Sequence, residues 1–158
     1  MATLFDVVKD YFEAGGWNFD VLPDRPVLRL GFRGERGEWV CFAQTREDQQ
    51  QFVFYSRPTQ QVPENRRSAV NEFITRANYG SIIGNFEIDL NDGEVRYKTS
   101  IDVEGGELTS QMVHNLVGTN VRMMDRYLGG LLSVALEEKD PFEALAEIER
   151  PHGPPGEA

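Results

Sequence analysis

Between residues 63 and 103 the spacing of apolar positions changes once, and that change lays out the middle of the chain. Ala69, Val70, Phe73, Ile74 and Ala77 recur at helical intervals, while Arg66, Arg67, Glu72 and Arg76 fall largely off that stripe, so a helix with one buried face is expected. Pro63 suits a first turn, where a missing N–H costs nothing, and Glu64 belongs beside the positive end of the helix dipole; the helix is expected to start at about Pro63. Asn78-Tyr79-Gly80 reads as its stop, since Gly accepts the left-handed backbone that often closes a helix. After Gly84 the period becomes two, with Phe86, Ile88 and Leu90 alternating with Glu87 and Asp89, the pattern of a half-buried strand. A two-residue turn at Asp92-Gly93 would pair Leu90 with Val95, Asp89 with Arg96, Ile88 with Tyr97 and Glu87 with Lys98. An exposed acid–base pair is worth roughly 0.2–1 kcal/mol and a buried Phe, Ile or Val roughly 1.5–3, so the apolar alternation decides the register.

The flanks follow the same rules. Thr3 and Asp6 form a capping arrangement ahead of Leu4, Val8, Tyr11 and Phe12, a short first helix ended by Gly15-Gly16. Trp17, Phe19 and Val21 alternate as a strand up to the turn between Pro23 and Pro26; Leu28, Leu30 and Phe32 make a second strand, and Gly34 to Gly37 turn the chain into Trp39–Ala43. Arg46 to Gln51 is expected as a polar loop, and Phe52–Tyr55, apolar on both faces, as a strand covered on both sides. From Thr109 to about Lys139 runs a long helix, with Met112, Leu116, Met123, Tyr127, Leu131 and Ala135 along one side and Val113, Val117, Met124, Leu128 and Leu132 beside them. Gly118 and Gly129-Gly130 inside it predict close packing or a bend. Asp140-Pro141 starts a short acidic helix to about Ile148. The order α-β-β-β-β-α-β-β-α is that of an α+β fold with a mostly antiparallel sheet. Residues 1–139 are expected to form one α+β domain, 140–149 the acidic helix, and 150–158, rich in Pro and Gly, a disordered tail.

Charge narrows the function classes. The formal net charge of −10 argues against nucleic acid, whose binders neutralise phosphates with Lys and Arg, and suits solubility or attraction to a basic partner segment. The single Cys41 cannot form an internal disulfide, and with no leader-like segment the expected compartment is the cytoplasm. No apolar run is long enough to predict a membrane span.

The element order, together with Asn78-Tyr79-Gly80, Gly84-Asn85-Phe86-Glu87-Ile88-Asp89 and Asp92-Gly93-Glu94-Val95-Arg96-Tyr97, resembles the YbjN-type family, whose label is that of bacterial sensory transduction regulators. The likeness runs from about Leu4 to Leu136. It implies a fold similar to type III secretion chaperones, which bind stretches of client protein and commonly act as dimers; a bacterial cytoplasmic regulator or chaperone-like module and a homodimer are what the resemblance implies here. It carries no catalytic residue to any position of this sequence, and no residue accounts for the word "sensory".

The residues with chemistry to offer are scattered. His114 lacks a second His nearby for a metal site, His152 falls in the tail, and Cys41 lies mid-strand between Val40 and Phe42 as a small buried residue would. Glu87 and Asp89 share a strand face, but Arg96 and Lys98 opposite would lower both pKa values and leave neither carboxyl protonated for acid catalysis. Neither phosphate-loop glycine pattern is present. The expectation is therefore a non-enzymatic protein-binding module without metal or cofactor, whose partner is another protein or protein segment. Its binding residues would be Met123, Met124, Tyr127 and Leu131, where the apolar stripe of the long helix is wide and Met is adaptable. A small-molecule sensor with an enclosed Phe- and Leu-lined pocket between sheet and helices is the alternative.

Overall fold

The computed structural model describes residues 2–150. Thr3 and Asp6 do form a reciprocal cap: each backbone N–H donates to the other's side chain at 3.0 Å, starting helix α1 (Leu4–Ala14). Strands β1 (Phe19–Val21), β2 (Val27–Arg33), β3 (Glu38–Arg46), β4 (Gln51–Arg57), β5 (Asn85–Ile88) and β6 (Val95–Asp102) build one antiparallel sheet in the order β1-β2-β3-β4-β6-β5. Helix α2 (Arg67–Tyr79) joins β4 to β5, and α3 (Ser110–Leu136), capped by Thr109, and α4 (Pro141–Glu149), capped by Asp140, complete the α+β fold. The part of the expected tail at 151–158 lies outside the described residues.

Strand alternation sorts the sheet into two unlike faces. Leu28, Leu30, Cys41, Ala43, Phe52, Phe54 and Tyr97 are buried on the face that α1, α2 and α3 cover. A buried polar contact locks α3 to it: the Asn120 amide, wholly buried, donates to the carbonyls of Phe54 and Tyr97 at 2.9 and 3.1 Å and to Thr99 Oγ1 at 3.2 Å. On the opposite face the register aligns Asp20, Arg29, Phe42, Tyr55 and Lys98 in one row, with Gly31, Val40 and Arg57 in the next. Among the described residues no helix lies over these rows. The Arg57 guanidinium instead covers the Phe42 ring at 4.8 Å, and that of Arg96 covers Tyr55 at 4.2 Å.

Three expectations need correction. Strand β4 is not sandwiched between layers; Val53 on its open face falls to 9% exposure because of its neighbours in the sheet, not a second layer. Residues 64–66 form a tight 3-10 turn and the α-helix proper starts at Arg67, because Arg66 is drawn to the Val134 and Lys139 carbonyls and Arg67 to those of Val62, Leu90 and Asn91. The β5–β6 pairing is shifted by two residues, Glu87 facing Arg96 and Ile88 facing Val95. The connection is longer than the expected two-residue turn. Asp89 N–H donates to the Glu94 carbonyl at 2.9 Å and Gly93 N–H to the Asp89 carbonyl at 2.8 Å, while Val62 N–H reaches the Gly93 carbonyl at 2.8 Å. Gly93 has φ +81°, and a Cβ there would lie 2.2 Å from the Val62 carbonyl oxygen. Packing against Val62 thus fixes the turn, and Leu90 leaves the strand to stand 57% exposed.

Candidate functional site

The phase of α3 separates the four residues expected to meet a partner. Met124, Tyr127 and Leu131 are 0%, 3% and 1% exposed, because the same stripe that carries Val113, Leu116, Val117 and Asn120 sets them against the sheet and the other helices. The Tyr127 ring packs edge-on to Phe86 and Phe73, with centroids 5.7 and 6.4 Å away. Met123, on the border of the stripe, is half-buried.

What Met123 meets at the surface is a segment that the sequence reading did not single out. Tyr79 is 95% exposed, Ile82 91% and Ile83 49%, unusual for side chains this apolar when they occur together. Ile82, Ile83, Met123, Arg126, Tyr127 and Glu149 line a cleft of about 340 Å³ between this α2–β5 loop and α3. The signal was available: Ile82-Ile83 lies between the Gly80 stop and the Gly84 strand start and fits neither period.

The loop displays these side chains from an anchored backbone. At its near end Asn78 Oδ1 accepts the Phe86 N–H at 2.7 Å and Asn78 Nδ2 donates to the Phe86 carbonyl at 3.0 Å. The amide copies a neighbouring strand on the outer edge of β5 and ties the end of α2 to it. Tyr97 Oη donates to the Ile83 carbonyl at 2.8 Å, Ser81 N–H donates to the Asn78 carbonyl at 3.0 Å, and Gly84 takes φ +83° with the Lys98 carbonyl oxygen 2.6 Å from where a Cβ would be. Exposed hydrophobes on a backbone held in this way could be covered without further ordering of the loop.

The residues weighed for chemistry are not brought together. Tyr11 Oη and His114 Nδ1 lie 2.9 Å apart and link α1 to α3 at the surface. Cys41 is buried beside Ser56, 3.5 Å from its hydroxyl; burial pushes its thiol up to about 12, against weaker opposing hydrogen bonds from Ser56 and Trp39. Glu87 bridges Arg96 at 2.8 Å and Lys98 at 3.0 Å. Partial burial opposes its charge, yet these two cations hold the carboxyl below its ordinary 4.5. Asp89 has left that ladder to accept the Asn91 N–H in the turn. Among the described residues no group of three or more His, Cys, Asp and Glu could hold a metal ion, and no helix is long and apolar enough to cross a membrane. The principal clefts all open to solvent.

A family model described as "Putative bacterial sensory transduction regulator", YbjN, matches residues 4–132. Among solved structures, "YbjN, a putative transcription regulator from E. coli" aligns at TM-score 0.61 and 14% identity, over 84% of this chain and 89% of that one. A chain of the ExsC–ExsE complex aligns at TM-score 0.50 and 12% identity, over 77% and 90%. The HopA1–SchA chaperone–effector complex gives a lower TM-score of 0.46 at 11% identity, over 75% and 87%. At such identities the likeness to the first two is one of fold, and it agrees with the α+β architecture expected above. No curated protein matches the chain in sequence.

Proposed function

Given that this chain belongs to the YbjN family of bacterial sensory transduction regulators, we propose that it is a non-enzymatic protein-binding module, chaperone-like or regulatory, that presents an apolar surface to a partner polypeptide in the cytoplasm. The observation that carries this reading is the anchored segment at the end of α2, with Tyr79 and Ile82 almost wholly in water and Ile82 in one cleft with Met123. Of the expected contact residues, Met123 meets the partner directly and Tyr127 lines the cleft; Met124 and Leu131 support the helix from beneath. Burying an Ile side chain is worth roughly 1.5–3 kcal/mol, so two or three such anchors suffice for a specific contact. The chain acts as a homodimer, and the open sheet face, with Val40, Phe42 and Tyr55 half-buried and no second layer, supports that reading.

Affinity purification from the native cell, run in parallel with the wild type and with Ile82→Glu and Met123→Glu, tests the surface. Both sites are accessible, so circular dichroism should report an unchanged fold. A partner captured by the wild type should be lost from both variants; equal capture by all three rejects this face. The mass of the purified protein should be about twice 17.9 kDa, and a monomer mass rejects the homodimer.

A further inference from the structure

Next to the apolar loop lies a cleft of opposite chemistry. It occupies about 1190 Å³ between the β2–β3 turn, α3 and α4, and its lining includes Arg33, Arg36, Arg122, Arg126 and Arg150 against three carboxylates, Glu35, Asp125 and Glu147. In a chain with 26 acidic and 16 basic residues this local excess of cations runs against the composition. Two of these three acids are also spoken for. Asp125 accepts the Arg36 and Glu35 N–H groups at 2.8 and 3.2 Å, tying the turn to α3, and Glu147 pairs with Lys139.

The arginines of this cleft are not alike, and elsewhere Arg46, Arg66 and Arg67 reach amide or carbonyl oxygens rather than carboxylates. Arg29, Arg33, Arg36, Arg57, Arg76 and Arg96 each lie within 3.4 Å of a carboxylate. Among the described residues Arg122 and Arg126 pair with none. Arg122 has only the Thr119 hydroxyl at 3.4 Å, and its guanidinium lies back over Gly118, where a Cβ would come within 2.9 Å of it. Arg126 lies over the ring of its neighbour Tyr127 at 5.2 Å. The two are one helical turn apart, so like charges face each other along α3. Carboxylates are plentiful in this chain, so two adjacent exposed guanidiniums without one leave bidentate donors open to an outside acceptor. Arg126 also borders the Ile82–Ile83–Met123 cleft, so the basic and apolar surfaces are continuous.

We infer that the polypeptide received at this surface is an acidic amphipathic segment, whose apolar side chains meet Tyr79, Ile82 and Met123 while its Glu or Asp residues pair with Arg122 and Arg126. The inference deepens the proposed function and rests on it. It also runs against the overall charge of the chain, which taken alone would select a basic partner.

Two labelled synthetic peptides test it, leucine-patterned and identical except for Glu or Lys at the polar positions, with binding followed by fluorescence anisotropy. The Glu peptide should bind at least about tenfold more tightly than the Lys peptide. That preference should shrink as ionic strength rises from about 0.01 to about 0.15 M, which shortens the screening length from about 30 to about 8 Å. Arg122→Glu with Arg126→Glu should abolish or reverse the preference. Because Arg126 lies on the buried Tyr127 ring, Arg122→Gln with Arg150→Gln serves as a second variant that leaves that contact intact, and it should lower the preference in the same direction. Equal binding of both peptides, no effect of either double variant, or no binding of the Glu peptide overturns the inference. Full displacement by free glutamate at matched carboxylate concentration would mean a small-anion site and also overturns it. The two readings fail separately: if Ile82→Glu removes the native partner while peptide charge makes no difference, the binding surface stands and only its acidic partner falls.

Discussion

Replacing Asn78 by Ala removes the clasp between α2 and the edge of β5 without touching the core. Its amide makes two hydrogen bonds to one residue, accepting from Phe86 N–H at 2.7 Å and donating to the Phe86 carbonyl at 3.0 Å, in a half-buried setting. A net contribution of about 1 kcal/mol per bond gives a loss of about 2 kcal/mol, and water reaching the half-exposed edge limits it to that. For a chain of this size the melting temperature should fall by roughly 4–8 °C. Urea unfolding followed by circular dichroism should show the midpoint move with an unchanged denaturant slope, the mark of a lost interaction rather than an altered unfolded state. Amide exchange supplies the residue-specific readout, because the Phe86 N–H faces away from β6 and has only Asn78 to protect it. Its exchange should quicken by more than that of the Tyr97 amide across the pair. A midpoint within about 0.5 kcal/mol of the wild type, with the Phe86 amide still protected, would refute the assignment of this edge to Asn78.

Gly93→Ala should cost more than about 2 kcal/mol, since it combines a left-handed backbone with a Cβ 2.2 Å from the Val62 carbonyl oxygen; a midpoint unchanged in urea would contradict the turn geometry. Glu87 has a folded-state pKa below its ordinary 4.5, so its contribution is present above that value and lost as pH falls through the lowered one. The stability gap between wild type and Glu87→Gln should therefore narrow in urea titrations taken from about pH 6 to about pH 3, and a constant gap would count against the Arg96 and Lys98 pairs. With its thiol pushed up to about 12, Cys41 should react with a disulfide reagent at about pH 8 roughly a thousandfold more slowly in the native state than in urea. Comparable native and unfolded rates would mean that the β3 interior is open to solvent.

Sequence patterning was most informative where one periodicity had no competitor. Thr3 with Asp6 and Asp140 with Pro141 located the starts of α1 and α4, and the switch from Ala77 to Phe86 located the end of α2 and β5. It missed where tertiary contacts overrode a local rule. Asp92-Gly93 signals a two-residue turn, but Val62 holds Gly93 from outside the hairpin and moves the pairing by two residues. Pro63 signals a helix start, but Arg66 and Arg67 are pulled toward carbonyls of other elements and tighten the first turn. For the surface, helical spacing alone could not tell Met123 from Met124, since both lie within one wide stripe and only packing against the sheet says which is left outside. Asn120, polar in the middle of that stripe, and Ile82-Ile83, apolar outside any period, were the visible clues to the α3 anchor and the exposed loop.

The arginines above Phe42 and Tyr55 give the uncovered side of the sheet two possible characters. With the guanidinium planes lying on the rings, water meets cations and the aromatic rows stay wettable, which keeps copies of the chain from clumping. Swinging two side chains aside turns the same rows into a sticky strip with no movement of the backbone. Whatever docks there has to displace two ring contacts and compete with the Arg57–Glu94 and Arg96–Glu87 ion pairs, yet no strand needs to leave its register.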